Sequence, residues 1–259
     1  MQEMTEQKIG FIGLGKMASA IIKGIISSGF MKKENILGFD VNQDALKIAS
    51  KNLDITPVSS IEELMSKTSI VLIATKPFVI KNVIDEIKDK VRNHLIISIL
   101  AGVSLKFYES SLPNTRVIRV MPNTPALVEE GMSAVCKGSF AYDYDAEFVF
   151  NMFSKLGRAI YIDEKDIDVV TAISGSGPAF YYYIIEKIAQ AGKKLGLDYK
   201  TALELSAQTA LGSAKMMFKT PDTPEELIRA VTTPGGCTEV GNNVLNNSNI
   251  DEILFKTIK

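Results

Sequence analysis

The feature that most narrows what this chain can fold into lies within its first 20 residues. A short apolar run, Ile9-Gly10-Phe11-Ile12, opens into Gly13-Leu14-Gly15-Lys16-Met17-Ala18. Beyond it, Ala20, Ile21, Gly24, Ile25 and Ile26 recur at helical spacing up to Gly29. A strand, a G-x-G-x-x-A turn and a helix in that order have a specific physical reading. Gly13 permits the tight turn, Gly15 lets a pyrophosphate approach the backbone, and Ala18 lets the helix pack closely on the strand. Lys16 and Met17 begin the helix, whose free N–H groups face the phosphates. The turn predicts a dinucleotide-binding unit.

The following segments alternate as such a unit requires. A second strand over 36–39 ends at Asp40, 22 residues after Ala18. A carboxylate there can accept hydrogen bonds from the adenosine ribose and repel a 2′-phosphate, which leans towards NADH over NADPH. It can equally close the turn before the next helix, and both readings stand at this point. Continuous apolar runs at 70–74 and 94–99 read as central parallel strands, and 116–120 as another. Residues 134–136 and 159–162 are shorter strand candidates, with a helix over 148–156 between them. The fold class is therefore α/β: a Rossmann-like doubly wound sheet over 1–163, followed by an all-helical domain over 164–259. Ligands collect at the carboxyl ends of the strands of such a sheet. Three loops fall there, and they carry Thr75-Lys76-Pro77, Ala101-Gly102 and Pro122-Asn123-Thr124-Pro125.

From residue 163 onward only helical patterns remain: about 166–173, then from Pro178 towards Gly196, then 199–218. The helix after Pro178 begins Ala179-Phe180-Tyr181-Tyr182-Tyr183-Ile184-Ile185, apolar or aromatic all round. Such a helix must be covered on every side, and about 95 residues are few for that task, so partner subunits are expected to supply the cover. Further on, Thr223 and Pro224 read as the cap and first residue of a helix. Thr232-Thr233-Pro234-Gly235-Gly236-Cys237-Thr238 follows, and then another helix. A glycine turn ahead of a helix N-terminus can hold a carboxylate; it can also be a plain interhelix corner.

Bulk properties exclude several classes. A net charge of −1 without a basic block argues against nucleic acid. No stretch approaches 18 apolar residues, so no membrane span is expected, and the polar first residues lead us to expect no secretory leader. Two cysteines, Cys136 and Cys237, have neither metal nor redox spacing. No metal site and a reduced, cytoplasmic setting are the expectation.

The chemistry is constrained by what is missing. His94 is the single histidine and begins a predicted strand, where a structural role fits best. The β-hydroxyacid dehydrogenases carry a catalytic lysine four residues after a glycine cluster; here Tyr181 stands at that spacing after Gly175-Ser176-Gly177. With no obvious group to protonate an alkoxide, reduction of an imine is the better match. A protonated C=N bond already attracts hydride and needs mainly orientation.

Taken together, these motifs resemble the pyrroline-5-carboxylate reductases essentially end to end. The similarity covers residues 11–18, 74–77, 100–103, 117–125 and 173–180, and the family's signature around 231–238 with Leu227, Gly241 and Leu245. It implies reduction of L-1-pyrroline-5-carboxylate to L-proline by NADPH or NADH. The pyrophosphate would lie on residues 13–18, the nicotinamide near Ala101, Gly102 and Asn123, and the groove walls at Thr75, Lys76 and Pro77. The substrate carboxylate would meet Gly235, Gly236, Cys237 and Thr238, with Ser176 nearby and the Thr238 hydroxyl, the catalytic candidate, close to the ring nitrogen. A homodimer through the helical domain, and a ring built of such dimers, are implied as well. Three positions depart from the family pattern. Asp40 stands where many members tolerate phosphate. Ser60 stands about where many carry an Asn near the adenine. Cys237 replaces the commoner Ala or Thr and adds an oxidisable thiol.

Overall fold

The computed structural model describes residues 6–259 and divides into two compact units between Ser176 and Gly177. The first unit is built on one eight-stranded sheet with strand order β3-β2-β1-β4-β5-β6-β7-β8. Its strands are β1 (Ile9–Ile12), β2 (Ile36–Phe39), β3 (Thr56–Pro57), β4 (Ile70–Ile73), β5 (Leu95–Ser98), β6 (Arg116–Met121), β7 (Gly131–Lys137) and β8 (Gly157–Tyr161). The first six run parallel, with Ile9 opposite both Ile36 and Ile70. Every residue of β1, β4 and β5 is buried, as expected of central strands covered on both faces. The order reverses between β1 and β4, which opens a crevice at their carboxyl ends.

The helices form where caps and periodicity direct them. Gly15 precedes α1 (Lys16–Ser27), whose buried side is Ala18, Ala20, Ile21, Ile22, Gly24 and Ile25. The Asn42 side chain accepts from the N–H groups of Asp44 and Ala45 to start α2 (Gln43–Leu53). Ser60 caps α3 (Ile61–Lys67), and α4 (Ile80–Ile87) follows a 3-10 turn at Pro77–Val79. Ser104 caps α5 (Leu105–Ser111). After β7 come α6 (Asp143–Phe153) and, beyond β8, the short α7 (Ile167–Val170). Two apolar clusters form the core, one with Ile21, Leu72 and Phe148, the other with Leu64, Val71 and Tyr108.

The helix expected over 148–156 starts earlier, at Asp143, and two further segments depart more from the sequence expectation. Strand β7 has seven residues rather than three and pairs antiparallel to β6, with Met121 opposite Ala134. A 3-10 turn, Thr124–Val128, returns the chain without a crossover helix. The helix expected over 166–173 is a composite: a 3-10 turn at Glu164–Asp166, then α7, then a π-helical turn at Thr171–Gly175.

The second unit is helical throughout: α8 (Gly177–Lys194), α9 (Tyr199–Lys219), α10 (Pro224–Val231), α11 (Cys237–Asn246) and α12 (Ile250–Ile258). Helices α8 and α9 pack as a hairpin. Ala189 and Ala202 are buried between them, and the Ser206 hydroxyl donates to the Ile185 carbonyl at 3.0 Å. Tyr181, Tyr182, Tyr183, Ile184 and Ile188 are all exposed within the single chain. Among the described residues, no helix is long and apolar enough to cross a membrane.

Candidate active site

The glycine turn after β1 is fixed by its neighbours. The Gly13 N–H donates to the Phe39 carbonyl at 2.8 Å, and Gly13 takes a φ of +93°. A Cβ at Gly13 would stand 2.9 Å from the Ala74 backbone, so both the space and the conformation demand glycine. Asp40 completes the turn. One carboxyl oxygen accepts from the Leu14 N–H at 2.8 Å, the other from the Asn42 N–H at 2.9 Å. Gly15 has open space where a Cβ would be, so its backbone faces the crevice unshielded.

That crevice is a cavity of about 1040 Å³. Of the sequence-predicted cofactor residues, Gly13, Gly15, Lys16, Met17, Asp40, Thr75, Lys76, Pro77 and Ala101 line it. Four others lie outside its walls. Ala18 is buried in the core behind the turn, where its small side chain permits close packing. The Ser60 hydroxyl accepts from the Glu63 N–H at 3.0 Å as a helix cap, and its neighbour Ile61 lines the cavity instead. Gly102 stands beside the lining Ala101. Asn123 is flanked by the lining Pro122 and Thr124, but its own amide is bonded to Ser174 and Met132. Sequence reasoning missed Val41, Asn82 and Glu86 in the walls. Asn82 and Glu86 share one flank of α4 at i, i+4, a spacing indistinguishable in sequence from an ordinary solvated face.

The cavity fits a dinucleotide by its own chemistry. The Thr75 hydroxyl oxygen, in a wall residue, is buried without a hydrogen-bond partner among the described residues. A buried polar atom left unpaired is costly, and a ligand hydroxyl or phosphate would satisfy it. The first-turn N–H groups of α1 point the same way.

Behind the cavity, buried polar groups brace the loops. The Ser98 hydroxyl and the Tyr108 phenol are 2.6 Å apart in the core, and Ser98 also accepts from the Leu100 N–H. Burial outweighs the Ser98 hydrogen bond and pushes Tyr108 up to about 12. Burial likewise pushes the Cys136 thiol up to about 11. Neither group exchanges a proton near neutral pH. Arg119 pairs with Glu164 at 2.9 Å, and Glu164 also accepts from the Leu105 N–H. His94 is structural: its Nδ1 accepts from the Arg92 N–H at 3.0 Å, which leaves Nε2 to donate to the Met65 carbonyl at 3.0 Å.

In the second unit, Thr223 and Glu226 form a reciprocal capping box at the start of α10. The turn after that helix holds Gly235 at a φ of +72°, closed by the Gly236 N–H to the Thr233 carbonyl at 2.9 Å. Glu239 accepts from the Gly235 N–H at 2.8 Å. Gly236 precedes α11, so the N–H groups of Cys237 and Thr238 belong to its unpaired first turn. Gly235, Gly236, Cys237 and Thr238 are thus gathered in one turn, with Cys237 exposed. Ser176 ends the first unit, its N–H bonded to the Thr171 carbonyl at 2.8 Å.

Comparison with known proteins also divides the chain, with the second profile starting at residue 164, ahead of the boundary between the compact units. Residues 164–259 match the family profile "Pyrroline-5-carboxylate reductase dimerisation". Residues 8–102 match "NADP oxidoreductase coenzyme F420-dependent". The chain is 41% identical over 257 residues to the pyrroline-5-carboxylate reductase of Methanosarcina acetivorans, covering 98% of this chain and 95% of that one. Among solved structures, a pyrroline-5-carboxylate reductase from Coxiella burnetii superposes with a TM-score of 0.92 at 31% identity, covering 97% of this chain and 94% of that one. The Plasmodium falciparum pyrroline carboxylate reductase, solved with NADP bound, gives 0.87 at 34% identity, covering 98% and 95%.

Proposed function

The chain belongs to the pyrroline-5-carboxylate reductase family, and on that premise we propose that it reduces L-1-pyrroline-5-carboxylate to L-proline with NADPH or NADH, the final step of proline biosynthesis. The observation that carries this reading is the cavity at the reversal of strand order, walled by the glycine turn, Thr75-Lys76-Pro77 and Ala101. When bound, the nicotinamide supplies the hydride.

The chain's own residues bind and orient. The first-turn N–H groups of α1, with Gly13 and Gly15, receive the pyrophosphate, and Lys16 and Lys76 add positive charge to the cavity wall. The Thr75 hydroxyl gains the partner it lacks. Asp40 accepts from the ribose hydroxyls with the lone pairs left free by its two backbone bonds, and disfavours a 2′-phosphate. On the substrate side, the N–H groups of Cys237 and Thr238 hold the carboxylate, the Gly235-Gly236 turn lets it come close to the backbone, and Ser176 contributes a second polar contact. The Thr238 hydroxyl bonds at the ring nitrogen and fixes the imine's orientation. No strong protein acid is required, because the protonated imine carries its own positive charge. The helical domain, taken from residue 164, pairs two chains, and pairs assemble into a ring; the reaction takes place in the cytoplasm.

The deciding experiment is substrate-dependent oxidation of NADPH and of NADH by the purified protein, side by side. Turnover with at least one is expected, and none with either would overturn the reading. Thr238→Ala should lower kcat about tenfold or more, the worth of one oriented hydrogen bond, while the cofactor Kd stays within about twofold. Equal losses in both would remove Thr238 from the substrate side. Asp40→Ala should shift the ratio of rates towards NADPH. An unmoved ratio would leave Asp40 with its turn-closing role alone.

A further inference from the structure

Asn123 follows the carboxyl end of β6, nine-tenths buried, with both the oxygen and the nitrogen of its side-chain amide hydrogen-bonded. Its Oδ1 accepts from the Met132 N–H at 2.8 Å. Its Nδ2 donates to the Ser174 carbonyl at 3.1 Å and to the Ser174 hydroxyl at 3.3 Å. A backbone N–H on one side and a carbonyl on the other admit only one orientation of the amide. The side chain has no donor left for a nicotinamide carboxamide, and the cavity wall passes through its neighbours Pro122 and Thr124 instead.

What Asn123 holds is unusual. Residues Thr171–Gly175 form a π turn, closed by the Ser176 N–H donating five residues back to Thr171. Such turns are rare and occur mostly at functional sites, because they re-aim the residues that follow. This one is attached to β6 at two points. Asn123 grips Ser174, and Gly175 lies so close to the Met121 side chain that a Cβ there would stand 2.7 Å from its methyl carbon. The next residue is Ser176.

We propose that Asn123 is a positioning residue for the substrate rather than a contact of the cofactor: it pins the π turn through Ser174 and so fixes where Ser176 is presented. This rests on the substrate role given to Ser176 above. The strand end thereby links the two ligands' surroundings, its flanking residues lining the dinucleotide cavity while its central side chain reaches across to the turn.

The test compares Asn123→Ala and Asn123→Asp with the wild-type protein. The aspartate keeps the acceptor for Met132 and nearly the same volume, but at neutral pH it cannot donate to the Ser174 carbonyl. Both variants should speed amide hydrogen exchange across residues 171–176 about tenfold or more. Both should raise KM for pyrroline-5-carboxylate about tenfold, with NADPH Kd within about twofold of wild type. Asn123→Asp behaving as wild type would overturn the proposal, since the donated bond would then be idle. So would a tenfold weaker NADPH Kd with exchange unchanged. Faster exchange with no change in either constant would uphold the tie but overturn the role of Ser176. A further arm needs no variant: proline added to the wild-type protein should slow exchange at 171–176, and NADPH alone should not. The reverse pattern would overturn the proposal.

Discussion

Ile22 on α1 and Ile188 on α8 are both aliphatic residues in the middle of long helices, yet Ile22 is fully buried and Ile188 is 57% exposed. Helix α1 lies against a sheet that its own chain supplies. Helix α8 packs against α9, and the residues buried there are small ones such as Ala189 and Ala202. The contrast extends to the whole molecule: both apolar clusters lie in the first unit, while Tyr181, Tyr182, Leu211, Met217 and Phe255 of the second face outward. Large apolar surfaces of this kind mark association sites. The first unit buries its own core; the second leaves large apolar side chains uncovered within the single chain, which agrees with its match to a dimerisation family.

The comparison can be broken at several points. Phe148→Ala removes a fully buried ring packed 5.4 Å from Phe30 and should cost about 3–5 kcal/mol. Chemical denaturation should show it without dissociating the oligomer. A loss below 1 kcal/mol would mean that the first core is looser than its burial implies. Ile188→Glu places a charge on a surface that is harmless in a monomer and intolerable in an apolar interface. Sedimentation should report monomers, and turnover should fall about 100-fold, near 2.7 kcal/mol. An intact oligomer would remove Ile188 from the interface. Gly13→Ala forces a side chain into positive φ against the Ala74 backbone, which should cost about 1–3 kcal/mol and weaken cofactor binding. An unchanged Kd would mean that the turn adapts. The smallest effect is chemical. At pH 8 a thiol reagent should modify exposed Cys237 quickly, while buried Cys136, which ionises only near 11, reacts after unfolding. Two fast thiols in the native protein would contradict the burial of β7.

Much of this was legible in the sequence because local rules and tertiary packing agree. The continuous apolar runs gave β1, β4 and β5, and the glycine turn located the cavity. The length and direction of β7 were not legible. Its Gly131 and Met132 have no strand signature, and pairing with β6 rather than propensity decides their conformation. The π turn was hidden for a related reason. Residues 166–173 keep helical apolar spacing, and the interruption comes from contacts at Met121 and Asn123 on a strand some 50 residues earlier. Asp40 could be read two ways in sequence. Its hydrogen bonds to Leu14 and Asn42 establish the turn-closing role, and its place in the cavity wall keeps the ribose role in play.

The Leu14–Asp40 hydrogen bond also restricts how this enzyme can diversify. The carboxylate that we propose as the ribose contact is also a strut of the glycine loop in the cavity wall. Selection for a new preference at position 40 therefore acts on two traits at once, and a lone substitution there trades specificity against the order of the glycine loop. Lineages or engineers changing that preference should need a compensating change near Leu14 or Asn42, so that such replacements travel as sets.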